Sequence, residues 1–119
     1  MRIKGEVSIE LYRRDEVIQV TEYDWGMALQ IYREMGWKPQ RPLEAYARPL
    51  SFVPPAEAAE MEAAGRRLFA LIRDEPIIST SVRMDMGMLH RLTDFLANGS
   101  CVVGEIGAYQ QALANGDLL

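Results

Sequence analysis

The sequence predicts an α+β domain: a small, mostly antiparallel sheet with three helices packed on one face. Two patterns indicate this class. Residues 7–21 alternate apolar and polar side chains, as a β-hairpin with one buried face does. Later stretches repeat apolar residues every three or four positions, which is the spacing of amphipathic helices. The length of 119 residues is that of one domain, so we expect residues 1–119 to form a single unit.

The sheet needs a third strand, because an isolated hairpin is barely stable. The apolar run 100–106 is the best candidate and is expected to join the hairpin. Residues 77–82 fit either a short strand or an extended connection. Residues 108–114 fit one or two final helical turns.

The first helix is predicted over residues 25–35. Asp24 is the expected N-cap, and Gly36 stands where a left-handed residue often ends a helix. The second helix is predicted from Pro55 to about Arg73, since proline is well suited to the first helical position.

Within the second helix, Ala64 and Gly65 have almost no side chain, so another element could approach closely there. A third helix is predicted to begin after Asp85, a good N-cap, and to end at Asn98-Gly99. Its apolar stripe includes Leu92.

Acidic residues outnumber basic ones, 17 against 13, which gives a net charge of −4. Nucleic-acid binding through a basic face is therefore not expected. Two short arginine pairs, Arg13 with Arg14 and Arg66 with Arg67, are interpreted as solvated surface.

The single cysteine, Cys101, excludes an internal disulfide and suits a reducing compartment. The first residues lack the apolar run of a secretory signal, and no stretch reaches the ~18 consecutive apolar residues of a membrane span. We therefore expect a cytoplasmic protein with no membrane contact.

The segment 37–54 is the least ordinary part of the chain, because five of the six prolines fall between Pro39 and Pro55. Proline excludes a regular helix there, while the bulky apolar residues argue against disorder. Its aromatic residues either cover the core or stay exposed as anchors for a partner. In the second case the binding residues are Trp37, Arg41, Tyr46, Arg48 and Phe52.

Other candidate sites are weaker. His90 and Asp94 are spaced to share a helix face, and Cys101 could act as a nucleophile if His90 were its base. The run Met84, Met86 and Met88, continued by His90, has ligands that suit Cu(I) if the backbone is extended. Since the third helix scatters these side chains, we expect no metal, no cofactor and no catalytic set.

One resemblance extends over residues 24 to 106. The chain resembles a family of small bacterial proteins of unknown function in five features: Trp25 at the start of a helix, the motif Gly36-Trp37-x-Pro39, a segment with Tyr46, Pro49 and Val53, an Ala-rich helix, and Phe95-x-x-x-Gly99 before an apolar strand. The resemblance implies a bacterial, cytosolic, single-domain protein. It implies no active site.

The sequence thus favours a non-enzymatic module that binds a protein partner or forms a homo-oligomer through the segment 37–54. Immunity and accessory proteins are the class-level analogy for such a module. The alternative is a small enzyme or ligand-binding protein with a polar site around His90, Asp94 and Cys101.

Overall fold

A computed structural model of the chain describes residues 7–74 and 84–116. In it, four strands form one antiparallel sheet in the order β2-β1-β4-β3. The strands span Ser8–Arg13 (β1), Glu16–Thr21 (β2), Ser51–Val53 (β3) and Cys101–Glu105 (β4). The α+β class, the hairpin and its third strand are confirmed. The ambiguous residues 77–82 lie outside the described residues.

β3 has no counterpart among the predicted strands. It adds three residues to one edge of the sheet, where Phe52 is paired with Val102. Pro49 and Pro54 flank β3 and limit its length. With three residues, the strand is too short for an alternating pattern to be recognised in the sequence. The segment 37–54 also contains a short 3-10 helix, Leu43–Ala47. The segment therefore contains regular structure that its proline content gave no reason to expect.

Alternation along the strands gives the sheet two different faces. Ile9 and Leu11 of β1 point to one face together with Val103 of β4, and all three are buried in the main core. Three helices contribute their apolar sides to the same core. They are α1 (Glu22–Glu34), α2 (Pro55–Asp74) and α3 (Met86–Leu96).

Helix α1 begins three residues earlier than predicted. Its N-cap is Thr21, whose hydroxyl accepts the Asp24 N–H at 3.0 Å, so Asp24 is a first-turn residue and not the cap. The other predicted caps are confirmed. Pro55 opens α2, and the Asp85 carboxylate accepts the Gly87 N–H at 2.8 Å at the start of α3.

A fourth helix, α4 (Ala108–Asn115), corrects the expectation of three helices on one face. It lies on the opposite face, to which Glu10 and Tyr12 point. The Glu10 carboxylate accepts the Tyr109 N–H at 2.9 Å, and the rings of Tyr12 and Tyr109 are 5.9 Å apart. Among the described helices, none has the length and apolar character to cross a membrane.

Helices α2 and α3 approach each other closely at Gly65, as the sequence predicts. A Cβ atom built on Gly65 would lie 2.5 Å from the Thr93 hydroxyl oxygen and 3.2 Å from the ring of Tyr32. Thr93 is fully buried, and its hydroxyl is hydrogen-bonded to that of Tyr32 at 2.9 Å. There is no room for a larger residue without moving this pair.

Gly65→Ala is expected to lower the free energy of unfolding by about 2 kcal/mol, although alanine is the better helix former by about 1 kcal/mol. Urea denaturation measures the change. Gly26→Ala is the matched control, because a Cβ on Gly26 in α1 meets nothing within 4 Å. That control should be stabilised by ~0.5–1 kcal/mol. Equal gains from both substitutions would contradict the close packing at Gly65.

Candidate functional site

The segment 37–54 begins with a turn that sends Trp37 into the core. The Gly36 N–H bonds the Arg33 carbonyl at 3.2 Å, and the Trp37 N–H bonds the Tyr32 carbonyl at 2.9 Å. This is the Schellman pattern of a helix end. Gly36 has a φ of 117°, the left-handed conformation predicted there. The chain reverses direction, and Trp37 is 1% exposed.

Tyr46, in the 3-10 helix, is the second buried anchor of the segment. Its ring packs edge-on against that of Trp37, with the centroids 5.0 Å apart. Its carbonyl accepts the Trp25 indole N–H at 3.0 Å. Its hydroxyl accepts the Gln40 N–H at 3.0 Å and donates to the Glu57 carboxylate. Tyr46 therefore ties the segment to both α1 and α2.

Glu57 completes this buried network from the first turn of α2, where it is 3% exposed. Its carboxylate also accepts the Gln40 N–H, at 3.2 Å. The positive end of the α2 dipole favours an acidic side chain at this position. Burial and the adjoining Glu57 hold the pKa of the Tyr46 hydroxyl above its ordinary value. The hydroxyl thus stays protonated and remains a donor at neutral pH.

The outer side of the segment is a tight turn, Arg48-Pro49-Leu50-Ser51. The Ser51 N–H bonds the Arg48 carbonyl at 3.1 Å, with proline in the second position. Leu50, in the third position, has a φ of 64° and is the only non-glycine residue of the described chain with positive φ. Glycine usually occupies that position. Even so, the Leu50 side chain is 75% exposed, so burial does not compensate for the strain.

Leu50→Gly is expected to raise the free energy of unfolding by about 1 kcal/mol. The left-handed conformation costs a side-chain-bearing residue ~1–2 kcal/mol, and the larger unfolded-state entropy of glycine cancels part of the gain. Leu50→Ala is the matched control: it removes the same exposed side chain but keeps the strain, so it should stay within ~0.5 kcal/mol of wild type. If denaturation shows equal stability for the two variants, the turn is not strained.

The five predicted binding residues fall into different environments. Trp37 and Tyr46 are buried, whereas Arg48 is exposed and Phe52 is 48% exposed on the face opposite the main core. Arg41 lies between them: its guanidinium sits 4.3 Å from the Tyr46 ring centroid and donates to the Phe52 carbonyl at 2.6 Å. The buried pair holds the segment in place, and the other residues face outward or brace it.

A cleft borders the turn, and none of its wall residues was predicted as a site. Two adjoining cavities of about 510 and 450 Å³ share Pro49 and residues 104–106. The first extends to the beginning of β1 and to Glu22 at the start of α1, and the second lies between Leu50 and the first turn of α4. No motif marks this cleft, because its walls come from distant parts of the chain.

The residues of the alternative polar site do not converge. The Asp94 carboxylate binds Arg66 at 2.9 Å, and the exposed His90 ring stacks on Phe69 with the centroids 3.6 Å apart. Cys101 is buried in β4, and burial raises the pKa of its thiol to about 12. Since the thiolate is the nucleophile, burial disfavours Cys101 as a nucleophile at neutral pH.

Met84, Met86 and Met88 are partly buried and pack against the core. Because α3 begins at Met86, the extended backbone required to align them with His90 is absent. In the described parts of the chain, no group of three or more His, Cys, Asp or Glu could hold a metal ion. The copper hypothesis gains no supporting observation.

No family model, no curated protein and no solved structure matches the chain. The resemblance to small bacterial proteins stays a prediction.

Proposed function

We propose that this protein is a non-enzymatic module that binds a protein partner, or a second copy of itself, through the outer side of the segment 37–54. Arg48, Leu50 and Phe52 form what we call the outer turn surface. The observation that carries the proposal is Leu50, a large apolar residue that is 75% exposed on a strained backbone. A strained, exposed apolar residue is expected where its favourable contacts are made with a partner.

The way the segment is held supports the same proposal. Trp37 and Tyr46 fix it from inside, and the Leu50 N–H is bonded to the Val103 carbonyl at 2.7 Å. A surface that is already ordered loses less conformational entropy on binding than a flexible loop does. Apolar and arginine side chains on such a surface are suited to anchor an interface.

The net charge of −4 favours a basic partner. Small acidic proteins that neutralise a basic toxin, as immunity proteins do, provide a class-level analogy. The proposal places the protein in a bacterial cytoplasm and assigns it no catalytic role. No observation favours the enzyme alternative, because His90, Asp94 and Cys101 lack a shared geometry.

Two measurements on the full chain test the proposal: sedimentation velocity over a wide concentration range, and affinity capture from a bacterial lysate. We expect a dimer or a stoichiometric bound protein. Association should weaken about tenfold or more in both Leu50→Ser and Phe52→Ser, as for central interface residues.

Leu71→Ser is the matched control, since Leu71 is 42% exposed but belongs to α2. It should leave association unchanged. Two results together would contradict the proposal: the protein stays monomeric at every concentration, and wild type and both variants capture the same proteins.

A further inference from the structure

The cleft beside the outer turn surface has an apolar wall. Pro49, Val103 and Ile106 line its larger cavity, and Ile106 is 52% exposed. The smaller cavity adds Leu50. Volumes of about 510 and 450 Å³ are large enough for several side chains of a bound segment. The two cavities share Pro49 and residues 104–106, so they lie side by side at this end of the sheet.

Among the described residues, the charged side chains that line the cleft are acidic. They are Glu22 and Glu105, both exposed, and no arginine or lysine of residues 7–74 and 84–116 lines either cavity. Glu22 opens α1, where its N–H bonds the Val7 carbonyl at 2.8 Å. Glu105 ends β4, opposite Ile9. Both carboxylates therefore stand on ordered backbone beside an apolar surface.

From this geometry we infer that the cleft receives an extended basic segment of the partner protein. An apolar side chain of that segment packs against Pro49 and Ile106, and neighbouring lysine or arginine side chains pair with Glu22 and Glu105. Apolar contact supplies most of the affinity, whereas exposed ion pairs select the sign of the charge and speed association. The inference rests on the proposed function and specifies the chemistry of its partner.

The probe for the cleft is a random library of 12-residue peptides displayed on phage. The library is selected against the immobilised full chain. We expect the enriched peptides to combine lysine or arginine with a leucine, isoleucine or phenylalanine. Calorimetric titration of one synthetic enriched peptide then compares wild type with the double variant Glu22→Gln and Glu105→Gln. The affinity of the peptide for the double variant should be about fivefold lower than for wild type, as expected for the loss of two exposed ion pairs. It should also depend less on salt concentration.

Glu34→Gln, which removes one negative charge from an exposed position at the end of α1, should leave peptide affinity unchanged. Equal losses in Glu34→Gln and in the double variant would overturn the inference, since overall charge would then explain binding. Selection of acidic or uncharged peptides would also overturn it.

Two further results would identify a different occupant of the cleft. If Arg2→Ser with Lys4→Ser raises peptide affinity, the chain's own first residues compete for the cleft, and the inference is wrong. If the double variant abolishes self-association and no peptide is enriched, the occupant is a second copy, and the inference is equally wrong. One pair of results would refute the inference but not the proposed function: Leu50→Ser weakens association, while the double variant binds the peptide as wild type does.

Discussion

Tyr46→Ala is expected to lower the free energy of unfolding by about 4 kcal/mol. The substitution deletes a fully buried ring that packs edge-on against Trp37, and such deletions cost ~3–5 kcal/mol. It also removes the hydroxyl that donates to the buried Glu57 carboxylate. Urea denaturation measures the loss. Hydrogen exchange should show faster opening of residues 48–53, because Tyr46 anchors the segment that holds them.

Tyr46→Phe separates packing from hydrogen bonding. It keeps the ring but not the hydroxyl, so we expect a loss of ~1–2 kcal/mol. Exchange over residues 48–53 should change less than in Tyr46→Ala. If hydrogen exchange over residues 48–53 were the same in Tyr46→Ala as in wild type, the contacts of Tyr46 would not order the outer turn surface.

Arg13→Met is expected to lower the free energy of unfolding by about 3 kcal/mol. The Arg13 guanidinium donates to the carbonyls of Phe95, Gly99 and Ser100, at 2.5, 3.1 and 3.1 Å, and to the Glu16 carboxylate at 2.5 Å. The Phe95, Gly99 and Ser100 carbonyls lie at and just beyond the end of α3, where backbone acceptors lack the N–H of a following helical turn. Methionine keeps the apolar stem but no donor, so the partly buried carbonyls lose a charged donor.

Arg13→Lys and Arg14→Met are the controls for this loss. Lysine keeps the charge but cannot reach several carbonyls with one planar group, so an intermediate loss of ~1–2 kcal/mol is expected. Arg14 is exposed in the hairpin turn, and its replacement should change stability by less than ~0.5 kcal/mol. Equal denaturation midpoints for the Arg13→Met and Arg14→Met variants would contradict the capping role.

The interpretation of Arg13 as solvated surface was wrong for a physical reason. Its side chain is 13% exposed, and its partners in and after α3 lie more than 80 residues away in the sequence. Local patterns report on neighbours along the chain, whereas this contact exists only because β1 pairs with β4. Arg14, the next residue, is exposed as expected.

Elements with local chemical signals could be predicted. Pro55 and Asp85 mark helix starts, Gly36 marks a helix end, and the alternating hairpin defines the sheet. The error at α1 arose because Asp24 and Thr21 are both good N-caps, and only the hydrogen bond from the Asp24 N–H to Thr21 decides between them.

The outer turn surface and its cleft could be predicted only in part. Arg48 and Phe52 were candidate residues, but Leu50 was not named as a binding residue. Proline at position 49 suggests a turn, yet leucine at position 50 gives no left-handed signal, because glycine or asparagine normally occupies that place. The cleft depends on tertiary pairing of distant segments, which no spacing reveals.

Photo-crosslinking from position 50 tests most directly whether the outer turn surface is where a partner binds. The full chain, carrying p-benzoylphenylalanine at position 50 in place of Leu50, is irradiated in its native cells. The same probe at position 71 is the reference, since Leu71 is also exposed. We predict one discrete product from position 50, either a dimer or a complex with a partner, and none from position 71. No product from position 50, or the same products from both positions, would contradict the account.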